Sequence, residues 1–431
     1  MAHLNATSHP IEFFDMFISE SFRHKTILDH SNANAWKNRA GSVVYPNCTP
    51  FLEDEIDKYI GLLIRNGLNP VPDMRLNWSN PLESFVYGDE RVQRLFPRGV
   101  QRYKELRAFI HVSDPYAKPA KDKPFIKIQD IIDHVISNSK ENWVLGRYLS
   151  LDEIDIGFQG RFAHKDKIKY KGEGDGILLD AICDRGYFYV GHFRHSPCPI
   201  VEKNASPLHN RCLYLVEQCN AACPQTWNTL FFDNLFTSKN FMDWLYARNR
   251  FGAGVCRTSG RGLPACVVQD VAKKKAELEA AVGTVKVARS SDYKVLAFSV
   301  YDAKPVHFMT SLHTSVKHVE KTRQIFDALA QQKVQIQYKR INVIDDYNYN
   351  MNGVDRCDQM RNQYRYSAVC KKANVEKPLS HRLFNEAVAS RLCNMESFKA
   401  LRLSMASSTG SKREVVLLNC LARNGGFRGT H

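Results

Sequence analysis

The stretch Thr229-Leu230-Phe231-Phe232-Asp233-Asn234 decides how this chain is read. An apolar run with no polar alternation needs cover on both faces, as in the middle of a layered α/β sheet. This run closes on an acid. A second run has the same character: Tyr148-Leu149-Ser150-Leu151-Asp152-Glu153-Ile154 reads as a strand with a carboxylate among apolar neighbours. A lone aspartate in such a place is costly to bury. Either each acid is a satisfied core or capping residue, or the two share a ligand that offsets the cost.

The neighbouring sequence supplies the rest of the sheet. Residues 177–183 and 187–190 read as strands split by the turn signal Asp184-Arg185-Gly186. Helical patterns cover 209–222 and 239–250, and 252–256 returns to strand. That order predicts an α/β layered core over 148–256. Residues 1–147 read as mostly helical, with apolar spacing over 50–64, 91–111 and 126–136 and a proline-bounded loop at 118–124. Residues 257–340 read as an inserted domain with an exposed basic surface. That domain holds the Lys273-Lys274-Lys275 run and strand-like pieces at 295–300 and 306–309. Residues 341–362 read as a last core helix and 363–431 as a C-terminal region and tail.

Composition excludes several classes. With 431 residues, 44% hydrophobic and 24% charged, the chain is neither disordered nor fibrous. Its longest apolar stretches, such as 59–64, are far too short to span a bilayer, so no membrane partner is expected. Sixty Lys and Arg against forty-five Asp and Glu leave a net charge of +15, which favours a polyanionic partner over a neutral one. Twelve cysteines contain no CxxC pair. Cys212, Cys219 and Cys223, with His209 upstream, recur on one helix face and read as buried, so no zinc site is expected.

A third acidic stretch completes a chemical set. In Asn352-Gly353-Val354-Asp355-Arg356-Cys357-Asp358-Gln359, a helix starting near Gly353 places Asp355 and Asp358 on one face. Phosphodiester cleavage can use two divalent cations held between the attacking and leaving oxygens. Mg²⁺ is a hard ion and takes carboxylate oxygens. Acids delivered from separate strands and a helix are what such a site requires.

With these residues in view, the chain resembles the piggyBac family of DNA transposases and their domesticated derivatives. The resemblance rests on the three acidic stretches in order: Leu151-Asp152-Glu153 with Gly157-Phe158-Gln159-Gly160-Arg161, then Asp233-Asn234-Leu235-Phe236-Thr237-Ser238, then 349–359. Gly61–Leu68, Pro72, Trp78, Arg102-Tyr103, Phe109-Ile110-His111 and Gly260–Pro264 add to it. It implies an RNase H-like (DDE/DDD) core flanked by a mostly helical dimerisation and DNA-binding region and interrupted by an insertion. It implies Asp152, Asp233 and Asp355 as metal-binding catalytic acids, Asp358 as a fourth, and two Mg²⁺ ions. Its partners would be double-stranded DNA, as transposon ends and TTAA targets, and a second copy of the chain; its location would be the nucleus. Lys273, Lys274, Lys275, Lys339, Arg340, Lys371 and Lys372 are candidate phosphate contacts. The sequence departs from many members in one respect: residues 395–431 hold only Cys420 and lack a cysteine-rich zinc domain. That departure keeps open the alternative of a domesticated, catalytically inactive DNA-binding protein.

Overall fold

The structure is a computed structural model. It describes residues 10–39, 44–68, 71, 73–79, 90–157, 162–167, 174–222, 227–259, 262–271, 283–302, 304–327 and 331–363. Lys273, Lys274, Lys275, Lys371, Lys372, Cys223 and the 395–431 tail lie outside the described residues, as do 158–161.

The N-terminal part is helical, as its periodicity predicts. α1 (Pro10–Asp15) leads through a π-helical turn at Phe22–Ile27 into α2 (Leu28–Arg39), followed by α3 (Glu53–Leu68). Glu53, Asp54 and Glu55 stand in the first turn of α3, where carboxylates favour the positive end of the helix. The expected helix over 91–111 is in fact two, α4 (Glu90–Gln93) and α5 (Val100–Phe109). Pro97 removes a backbone donor, and Gly99 adopts φ +53°, so no continuous helix passes between them. α6 (Gln129–Asn142) completes the region.

The sheet starts with β1 (Tyr148–Gly157), β2 (Asp166–Lys167), β3 (Asp175–Asp184) and β4 (Tyr187–Phe193). α7 (Pro207–Ala222) then crosses to β5 (Thr229–Phe232), and α8 (Lys239–Ala247) crosses to β6 (Phe251–Cys256). β1, β5 and β6 are parallel neighbours, whereas β3 runs antiparallel to β1 and β4 antiparallel to β3. Segment 257–340 adds β7 (Val285–Arg289), β8 (Leu296–Tyr301) and β9 (Pro305–Thr310), with β9 antiparallel to β6. It also forms a separate two-stranded ribbon, β10 (His318–Asp327) with β11 (Gln332–Ile341). The ribbon runs directly into α9 (Asn342–Asn350), followed by α10 (Gly353–Gln363).

The sheet separates two apolar layers. Leu149, Leu151, Leu230 and Phe232 pack with Cys212, Leu213 and Cys219 of α7 and Phe241 and Leu245 of α8. Ile154, Ile156, Ala181 and Cys183 pack with the N-terminal helices and with Val354 and Cys357 of α10. Cys212 and Cys219 are almost wholly buried, which is the apolar-face role their spacing predicts. No described helix is long and apolar enough to cross a membrane.

Candidate active site

Strand register fixes the first two acids. Ser150 lies beside Phe231 and Leu151 beside Phe232, so the next step along both strands brings Asp152 beside Asp233. Parallel strands lie about 4.8 Å apart, and residues in register share a face. That face is the one opposite α7 and α8. Phe231, two residues before Asp233, makes an edge-to-face contact with Tyr148, two residues before Ser150, at 5.8 Å.

The local sequence around Asp233 explains its hold. Asp233 Oδ1 accepts from the Leu235 amide at 2.7 Å, and its carbonyl accepts from Thr237 Oγ1 at 2.7 Å. Phe236 fills the core, and Ser238 caps α8 by accepting from the Phe241 amide at 3.1 Å. His209 of α7 donates to the Phe236 carbonyl at 3.0 Å. Gly254 of β6 faces this turn. A Cβ there would lie 2.3 Å from Thr237 Oγ1 and 2.7 Å from the Phe232 carbonyl.

α10 brings the third acid. It begins at Gly353, as predicted, and packs on β1 and β3. A Cβ on Gly353 would fall 2.1 Å from Ser150 Oγ, so only glycine lets this helix start so near β1. Two residues on, Asp355 is close enough to act on Asp152 electrostatically. Arg361 Nη2 donates to the Asp155 carbonyl at 2.9 Å and meets Asp358 Oδ1 at 3.3 Å, which ties α10 and Asp358 to β1.

The electrostatics agree with this placement. Burial raises the Asp152 carboxyl, with further upward pressure from Asp233, Asp355 and Glu153. The Glu153 amide, donating to Asp152 Oδ1 at 2.8 Å, works the other way, and the net result is a pKa of about 7. Glu153 points to the other side and is paired with Arg194, which also reaches Asp180 at 3.6 Å. Arg211 Nε meets Asp180 at 2.6 Å. This network locks β1, β3, β4 and α7 together. Among the described residues, no three His, Cys, Asp or Glu side chains stand close enough to close around one ion. Asp152, Asp233 and Asp355 interact as an open set.

Tyr347 of α9 was not picked out by its sequence. Burial first, and then Asp233, Asp152 and Asp355, push its phenol well above the usual range, so it stands beside all three acids as a neutral hydroxyl. Its ring packs edge-on against Phe308 at 5.4 Å. α9 is pinned by Asp346 to His313 (2.8 Å) and by Asp345 to Lys321 (2.7 Å) and Arg340 (3.7 Å). Arg340 is thus engaged at the ribbon base, and Lys339 takes its place in β11 opposite Glu320. The only sequence signal for Tyr347 was its position six residues before Gly353.

Known proteins bear on this geometry. A family model described as Transposase IS4 matches residues 9–389. The chain belongs to that transposase family. A cryo-EM structure described as a piggyBac transposase synaptic complex with hairpin DNA has the same fold. Its TM-score is 0.70 at 20% identity, over 96% of this chain and 79% of that one. The resemblance drawn from the acidic stretches therefore holds for this transposase, and its mixed α/β fold is that of the piggyBac enzyme.

Proposed function

We propose that this transposase cuts and joins DNA at TTAA sites, using Asp152, Asp233 and Asp355, with Asp358 in support, to hold two Mg²⁺ ions. The approach of three carboxylates, from the middle of β1, the exit of β5 and the first turn of α10, carries the reading. The strand order β4-β3-β1-β5-β6, parallel only across β1-β5-β6, supports an RNase H-like core. The donor chemistry fits a hard cation. Burial and like charge at Asp152 are a cost that a divalent ion would remove.

The chain's own residues have definable parts. Asp152 would hold the metal as a carboxylate, its proton passing to solvent, because carboxylates bind metal deprotonated. Tyr347 remains a neutral hydrogen-bond donor at the edge of the acids. Arg194 keeps Glu153 engaged away from them. Bound Mg²⁺ would lower the pKa of an attacking water or 3′-hydroxyl and take up charge on the leaving oxygen. Water would nick the element end. The freed hydroxyl would attack the opposite strand to leave a hairpin, the DNA form named with the similar structure. The helical region, residues 257–340 and the basic residues would grip phosphates. Two copies would pair two ends, in the nucleus.

The test is cleavage of a linear duplex carrying TTAA-flanked ends, with Mg²⁺ or with chelator. Mg²⁺-dependent nicks and hairpins are expected. Cleavage that persists in chelator would overturn the metal site. Tight DNA binding with no cleavage at all would favour the inactive DNA-binding alternative.

A further inference from the structure

The β10–β11 ribbon is built for a partner. Ten residue pairs in unbroken antiparallel register give it a length of about 33 Å, and it stands apart from the main sheet. A lone two-stranded ribbon is marginal in water unless something covers it. Its base is fixed. The Lys317 amide donates to Asn342 Oδ1 and the Asn342 amide to the Lys317 carbonyl, both at 2.9 Å.

Register sorts its faces. Lys321 and Arg340 share one face, and both reach Asp345 of α9, so that face is the anchored one. The opposite face carries the cross-strand pairs Thr322–Gln337 and Gln324–Gln335, and all four residues are exposed. Beyond them on this face, Lys333 is exposed. By register, the lysines of this face are Lys333 and Lys339, against one acid, Glu320. Thr322, the three glutamines and Lys333 expose a hydroxyl, three amides and an ammonium, a polar and weakly cationic set with none of the apolar anchors that a protein partner would use.

We propose that the Thr322/Gln324/Gln335/Gln337 face enters the major groove of duplex DNA and reads base edges there, adenine above all. This rests on the transposase reading and adds to it a sequence-reading element. The major groove admits a two-stranded ribbon, and glutamine pairs bidentately with adenine N6 and N7. Lys333 supplies phosphate attraction at the tip. Because β11 continues into α9 and then α10, the bases read lie at a fixed offset from Asp355.

The test selects from a pool of duplexes with a randomised core, using full-length protein. The background is Asp152→Asn, so that reading is uncoupled from cutting. That protein should enrich adenine-containing steps. Adding Gln324→Ala, Gln335→Ala and Gln337→Ala should lower discrimination between selected and scrambled duplexes by about tenfold or more. Affinity for scrambled duplex should stay within about twofold, since phosphate contacts carry it. Lys333→Gln should weaken both duplexes equally and flatten the salt dependence. Undiminished discrimination in the triple variant, while the wild type still cleaves with Mg²⁺, overturns the ribbon's role and leaves the enzyme reading standing. Loss of the dimer instead, by sedimentation, would make this face a contact between copies. Failure of the parent to bind any duplex would overturn both.

Discussion

Two groups of buried charge in this molecule are handled in opposite ways. In the N-terminal helices, Arg102 meets Glu55 at 2.6 Å and Glu105 at 3.0 Å, and it also donates to the Thr49 and Pro50 carbonyls. Burial alone would lower the Arg102 guanidinium, but its bonds to Glu55 and Glu105 more than reverse that. In the second group, the charges that bear on Asp152 are other carboxylates, and its carboxyl is driven up to about 7. The first group balances itself. The second holds like charges together, an arrangement that costs stability unless a cation arrives. The difference separates a structural network from a working site.

The sharpest way to break this contrast is to neutralise one acid of the second group. Asp152→Asn, Asp233→Asn or Asp355→Asn should each cut Mg²⁺-dependent DNA cleavage by about 10⁴-fold, roughly 5 kcal/mol of transition-state stabilisation. Duplex binding should stay within about threefold. Gel assays of cleavage and mobility shift measure both, and near-normal cleavage by two variants would remove the site. None of these variants should lower the melting temperature.

The reverse holds for the balanced group. Arg102→Ala leaves buried Glu55 without its partner and Glu105 with Arg98 alone, and should cost about 3–5 kcal/mol of folding stability, read by chemical denaturation. If the loss is below about 1 kcal/mol, the network is not holding the helices.

Proton linkage sharpens the same comparison. The Asp152 pKa is higher in the folded chain than the ordinary carboxyl value of 3.8, so the fold binds the proton more tightly than the unfolded chain. Its contribution is full in acid and is lost as pH rises through about 7. Without metal, going from pH 5 to pH 8 should cost up to about 2.5 kcal/mol. Asp152→Asn should remove that slope, and Mg²⁺ should stabilise the wild type more at pH 8 than at pH 5. Denaturation curves across this range, with and without Mg²⁺, check the sign.

The smallest effect tests placement. Gly353→Ala forces its Cβ onto Ser150 and should cost about 1–3 kcal/mol, with slower cleavage. Adding Ser150→Gly should restore part of both. A purely additive double variant would mean that this contact does not seat α10.

Much of this was legible beforehand. An apolar run ending in an acid identified β5, an acid inside a mostly apolar run identified β1, and spacing placed Asp355 and Asp358 on a helix beginning at Gly353. Residues defined by their partners were not legible. Tyr347 matters because three acids far apart in sequence act on its phenol, and Arg194 because Glu153 and Asp180 meet it from two strands. Nothing in their own neighbourhoods announces this. The ribbon escaped notice although β11 alternates apolar Val334, Ile336 and Tyr338 with polar neighbours, because β10 lacks that alternation and the basic residues of both strands read as an exposed surface. The break in the 91–111 helix was readable from Pro97 and Gly99 but was outweighed by periodicity.

β5 is four residues long and carries Asp233 at its exit. With so little strand, nothing can absorb a frame slip. One codon gained or lost between Thr229 and Asp233 would rotate the carboxylate half a turn, into the oily layer beneath the crossover helices. A copy could thus fall silent through phase alone, with every acid still present in its gene. In a lineage of such elements, counting residues between Thr229 and Asp233 would tell the living from the dead better than checking for the aspartate.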